Sequence, residues 1–136
     1  MRMFRFFRTD YLATQNTVCN KEREEYMNSQ LKRGTLELCV LSILNSSDCY
    51  GYELVSKISV CMHVTEGTIY PLMKRLKDSD TIDSYIVESQ EGPPRKYYKI
   101  TDTGRAELER LSTEWFEFVT SVNSLLKGEY SYDSEE

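Results

Sequence analysis

Histidine occurs once in the 136 residues, at His63, and tryptophan once, at Trp115; proline appears three times and the six glycines are scattered singly. No nucleophile stands next to a base and no glycine-rich loop is present to cradle a phosphate, so an enzyme is not expected. The four cysteines, Cys19, Cys39, Cys49 and Cys61, form no Cys-x-x-Cys pair. His63 lies two residues after Cys61, but two further ligands at a workable spacing are missing, so neither a metal nor any other cofactor is expected. These thiols read as reduced, partly buried groups of a cytoplasmic protein. No apolar run approaches the roughly 18 residues that a membrane-spanning helix needs, so no membrane partner is expected.

An excess of basic charge is also lacking, since the formal net charge is −5. Its distribution matters more than its sum. Residues 28–101 hold nine basic and nine acidic side chains, whereas 102–136 hold three basic against nine acidic. The acidity therefore lies towards the C-terminus, and the middle of the chain is left free to present a local basic face.

Residues 1–26 interleave Arg2, Arg5 and Arg8 with Phe4, Phe6 and Phe7 ahead of a polar stretch, a pattern too broken by arginine for a secretory signal. Every residue of Lys21–Glu25 can be encoded by purines alone, and Met27 follows after a single spacer. This resembles a translated ribosome-binding site of a bacterial gene. It predicts that synthesis starts at Met27 and that 1–26 is a leader or a disordered extension without a structural role.

The chain beyond Met27 shows clear periodicity. From Gln30 to Leu44, Leu31, Leu36, Cys39, Val40, Ile43 and Leu44 recur at helical intervals, and Asn45–Asp48 ends the run. Gly51 to Ser59 reads as a short helix with Leu54, Val55 and Ile58 on one side. Thr65 suits the N-cap of a third helix, in which Ile69, Leu72, Met73 and Leu76 form the core stripe. Pro71 falls early enough in that helix for its missing N–H to matter little. Ile82 to Glu88 and Arg95 to Thr101 are rich in β-formers, so they predict a hairpin with Gln90–Pro94 as its tip. Thr101-Asp102 offers a cap for a last helix. Along it Leu108, Leu111, Trp115, Phe118, Val122 and Leu125 follow the alternating spacing of a coiled-coil seam.

Three helices followed by a hairpin give the order of a winged helix-turn-helix, a mainly α fold with a small β-hairpin (α+β), here followed by a long C-terminal helix. The divisions are then 27–101 for the winged helix-turn-helix, 102–127 for a dimerisation helix and 128–136 for an acidic, mobile tail. Thr68, Tyr70, Lys74 and Arg75 are left off the core stripe of the third helix, with hydroxyl and cationic groups suited to base edges and phosphates. With Thr65 at the helix start and Arg95 and Lys96 beside the hairpin tip, they form the candidate contact set for double-stranded DNA. Tyr98 and Ile100 alternate with Tyr97 and Lys99, so one pair packs inward and the other faces out.

Tyr50-Gly51-Tyr52-Glu53-Leu54, Glu66-Gly67-Thr68-Ile69-Tyr70-Pro71, Arg75-Leu76 and the run Gly92–Thr101 with Gly104 resemble the PadR family signature in order and spacing. The resemblance spans about Leu31 to Leu126. It implies a homodimeric transcriptional repressor on a palindromic operator, joined through the last helix of each subunit. In multidrug-binding members a tryptophan at the place of Trp115 stacks flat aromatic ligands between the subunits, which implies an aromatic or amphiphilic effector at the interface; the plainer alternative is that Trp115 packs a dimer core. Two departures stand out. Gly92-Pro93-Pro94-Arg95-Lys96 has one cation fewer than the family's usual wing tip, and Asp78-Ser79-Asp80 adds acid where the family tends to place glycine. The alternative function is a winged-helix module that binds protein and not DNA, suggested by the modest basic surface and the acidic tail.

Overall fold

The computed structural model describes residues 35–133, so the expectations for 1–26, for the start of the first helix including Leu31, and for the last three residues of the tail lie outside the described residues. The described residues up to Ser112 form one compact unit, and those from Thr113 onward belong to another. In the first unit, α1 (Leu36–Ser46), β1 (Cys49–Tyr50), α2 (Gly51–Ser59) and α3 (Glu66–Asp78) precede the hairpin β2 (Ile82–Ser89) and β3 (Gly92–Ile100); α4 runs over Asp102–Lys127.

The core collects one face from each element up to β3. Leu36, Val40, Leu41 and Leu44 come from α1, Leu54 and Ile58 from α2, and Ile69, Met73 and Leu76 from α3. Cys49, Ile82, Tyr98 and Ile100 join it from the sheet, and Val64 from the segment before α3. Burying a side chain of this size contributes about 1.5–3 kcal/mol before entropy is counted, which is why the helical stripes fix how these short helices sit. Leu72 is only partly buried, and Leu41, which the spacing did not single out, is fully buried.

The sheet has three strands in the order β1-β3-β2, not the two of a simple hairpin. β1 has only two residues, Cys49 opposite Tyr98 and Tyr50 opposite Tyr97, too short to leave a periodic trace. Ser84 also faces Tyr98, and Tyr85 faces Tyr97, so Cys49, Ser84 and Tyr98 share the inner face while Tyr50, Tyr85 and Tyr97 share the outer one. The strands reach further than expected. β3 begins at Gly92, and only Gln90 and Glu91 remain between the strands. Val87 pairs with Arg95 and Ser89 with Gly92, so Pro93 and Pro94 together oppose Glu88 in a bulge. A bulge suits them because neither proline has an N–H for the ladder.

Helix ends hold the hairpin and α4 in place. After α3, the Asp80 N–H meets the Lys77 carbonyl and the Thr81 N–H meets the Leu76 carbonyl, both at 3.0 Å. This is a Schellman closure, and it puts Asp80 in the left-handed region with φ 57°. At the start of α4 the Gly104 N–H donates to the Thr101 hydroxyl at 3.0 Å, as the expected cap requires. That hydroxyl in turn donates towards the Asp80 and Thr81 carbonyls, at 2.6 and 2.9 Å. Pro71 occupies the sixth position of α3, so it has no N–H to offer the Gly67 carbonyl one turn back.

Candidate nucleic-acid interface

Thr65 occupies the N-cap position of α3 in an extended conformation, but its side chain makes no capping bond. Its hydroxyl instead faces that of Thr68 at 3.3 Å, and both residues are exposed. This leaves the first N–H groups of α3 without a side-chain cap, with two hydroxyls grouped beside them. Nearly two turns beyond Thr68, Lys74 is exposed. Ile69, Met73 and Leu76 anchor the opposite side of the helix in the core.

Tyr70 and Arg75 are more tied than their positions suggested. The Tyr70 ring lies directly against Gly51, so closely that a Cβ there would come within 2.7 Å of its hydroxyl. Gly51 leaves room for the ring in this position, and a larger residue would make the Tyr70 side chain shift. Tyr70 is still 42% exposed. Its phenol also helps to raise the pKa of Tyr98, although burial of Tyr98 is the larger cause. Arg75 donates through Nη2 to Glu37 of α1 at 3.0 Å, and most of its side chain remains in solvent.

The hairpin joins this surface through Lys77, whose ammonium donates to the Ser84 hydroxyl on β2. Arg95 and Lys96 leave β3 on opposite faces, as neighbours on a strand must. Arg95 lies on the outer face with its Cζ 4.9 Å from the centre of the Tyr50 ring. Lys96 lies on the inner side with Nζ 5.5 Å from the Tyr98 ring. They therefore do not converge on one point, and each is paired with an aromatic ring instead.

Sequence reasoning did not find the row of tyrosines on the outer face. Tyr52 stacks on Tyr50 at 6.3 Å, Tyr50 meets Tyr97 edge-on at 5.7 Å, and Tyr97 stacks on Tyr85 at 5.7 Å. The Tyr85 hydroxyl donates to the Asp48 carboxylate at 2.7 Å. That bond, with lesser help from burial, pushes the Tyr85 phenol above its ordinary range. The β-strand alternation of Tyr97 and Tyr85 carried part of the signal, but β1 was needed to bring Tyr50 beside them.

The candidate seam of α4 divides. Leu108 and Leu111 are partly buried against the core of the winged unit, so they serve packing within the chain. Beyond Ser112, Trp115 is 38% exposed, Phe118 and Leu125 are about two-thirds exposed, and Val122 is half-buried. Trp115 and Phe118 lie 6.4 Å apart. Phe116 and Leu126 are also exposed. Among the described residues, no group of three or more His, Cys, Asp or Glu side chains is arranged to hold a metal ion. Likewise no helix among them is long and apolar enough to cross a membrane.

Residues 40–110 match the model of the transcriptional regulator PadR-like family. The fold is similar to the crystal structure of a PadR-like transcriptional regulator from Bacillus cereus, with 41% identity and a TM-score of 0.66 over 71% of this chain and 96% of that one. It is also similar to a PadR family regulator from Eggerthella lenta, at 34% identity and a TM-score of 0.69 over 78% of this chain and 94% of the other. A more distant likeness, 25% identical with a TM-score of 0.51, is to Bacillus subtilis PadR in complex with operator DNA; it covers 56% of this chain and 44% of that one.

Proposed function

The chain belongs to the PadR-like family of transcriptional regulators, and from this we infer a cytoplasmic repressor that binds a palindromic operator as a homodimer. The observation that carries the DNA reading is the solvent exposure of Thr65, at the N-cap of α3, and of Thr68 and Lys74 along it, in a unit whose hairpin also exposes the cations Arg95 and Lys96. The operator-bound Bacillus subtilis relative supports the same partner. In this arrangement α3 enters the major groove and the hairpin follows the backbone. Lys74, Arg95 and Lys96 supply the salt-dependent phosphate contacts, and the hydroxyls of Thr65 and Thr68 with the edge of Tyr70 supply nearby polar ones.

Dimerisation runs through the exposed apolar residues of α4, chiefly Trp115, Phe118 and Leu125, which places two copies of α3 to read two half-sites. A flat aromatic or amphiphilic molecule lodged near Trp115 shifts the dimer between two geometries and lowers operator affinity.

Fluorescence anisotropy tests the DNA reading, using a duplex from the region upstream of the protein's own gene and an unrelated duplex of equal length. The wild type should prefer the former, and Lys74→Glu should lose about tenfold or more in affinity. A wild type that binds neither duplex, while Lys74→Glu retains a protein partner, would replace this reading with that of a protein-binding winged helix. Quenching of Trp115 by aromatic dyes, with weakened duplex binding, tests the effector; a broad panel that changes neither signal overturns that part.

A further inference from the structure

Two arginines near the proposed interface are held in chemically different ways. Arg75 uses one N–H of its rim on the Glu37 carboxylate, which offsets part of its charge at 3.0 Å. Arg95 instead has its Cζ over the Tyr50 ring, 4.9 Å from the ring centre. A guanidinium carries five N–H donors, and a carboxylate occupies donors and cancels charge, whereas an aromatic ring attracts the cation without cancelling its charge. Among the described residues, no carboxylate forms an ion pair with Arg95. Its positive charge is localised but not neutralised.

The ring beneath it is itself fixed. Tyr50 is half-buried on β1, with Tyr52 stacked against it and Tyr97 edge-on to it. Tyr97 is backed by Tyr85, whose hydroxyl is bound to Asp48. An exposed arginine near a hairpin tip normally samples many rotamers, and ordering it on contact with a ligand costs entropy. A rigid aromatic platform removes much of that cost before the ligand arrives.

We propose that Tyr50 is a positioning residue that holds Arg95 along the outer face of the wing with its N–H rim free to meet a DNA phosphate. The inference rests on the DNA reading given above. It separates the arginines by role: Arg75 braces α3 against α1, and Arg95 is the pre-aimed wing cation.

The test uses the full chain and the upstream duplex over a salt series. Tyr50→Val, a substitution suited to a strand, should weaken binding about threefold to tenfold and flatten the slope of log affinity against log salt by about one. Tyr50→Phe keeps the ring and should bind as the wild type does. Arg95→Ala should cost as much as Tyr50→Val, and the double variant little more than either. In the wild type, the Arg95 side-chain protons should be shifted upfield by the ring in NMR spectra. Unchanged affinity and slope in Tyr50→Val, or additive losses in the double variant, overturn the inference. Should Tyr50→Val not fold, Arg95 protons at their free-chain shifts in the wild type overturn it alone. A wild type that binds no duplex removes the DNA reading together with this inference, whereas the other outcomes remove only the role of Tyr50.

Discussion

The carbonyl oxygen of Thr81 faces the Cα of Gly104 so closely that no side-chain carbon fits between them. This contact joins the end of the α3 closure to the first turn of α4, and the Thr101 hydroxyl bridges the same junction. Because a Cβ would meet backbone and not a flexible side-chain end, Gly104→Ala must displace α4. It should cost about 2–3 kcal/mol, measured by urea unfolding. An alanine variant as stable as the wild type would show that the junction is softer than described.

Asp80 sits in the left-handed region at a position where helix closures favour glycine; Gly128 takes the equivalent conformation after α4. Only the Asp80 backbone takes part in the closure hydrogen bonds, through its N–H to Lys77 and its carbonyl from Thr101. Asp80→Gly should therefore raise stability by about 0.5–1 kcal/mol, the relief of strain exceeding the added freedom of the unfolded chain. Thermal unfolding decides the sign.

The Asp48 carboxylate holds the Tyr85 phenol above its ordinary pKa of 10.0. A raised value in the folded state means that the folded chain keeps a proton which the unfolded chain releases. The stabilisation is therefore complete below about pH 10 and fades as pH rises through the folded value. Asp48→Asn should bring the Tyr85 titration back towards the ordinary value, followed by the NMR shift of its ring. If the Tyr85 curve does not move in that variant, Asp48 is not the cause.

Self-association should depend on the far part of α4. Phe118→Asp or Leu125→Asp places a charge on an exposed apolar residue that has no core role in the described chain. Either should weaken a dimer at least about tenfold by sedimentation, with the melting of the winged unit unchanged. Leu111→Asp should instead lower stability directly, since Leu111 packs on the winged core.

The sequence carried most where one face of a helix had to be buried against the core. The range Gly51–Ser59 for α2 and the stripe Ile69, Met73 and Leu76 of α3 followed from spacing alone. The two residues of β1 have no period to detect, and with them went the third strand and the tyrosine row. Gln90–Pro94 reads as loop because prolines usually interrupt strands, whereas here a bulge absorbs both. Among the candidate contacts, residue type indicated which side chains have suitable chemistry. It did not indicate that Glu37 binds Arg75, that Gly51 receives Tyr70, or that Arg95 and Lys96 diverge. Those relationships join residues far apart in the chain or depend on strand faces, and only the packed structure supplies them.

Pro93 and Pro94 have a further consequence for the wing in a crowded cell. Opposite β2, the Gly92–Lys96 stretch of β3 is not covered by β1, whose pairing stops at Tyr97. An open strand edge of this kind invites a foreign strand to add on and seed aggregation. Two successive residues with no backbone donor, set in a bulge, hinder such pairing there, so the prolines blunt the exposed edge of the wing.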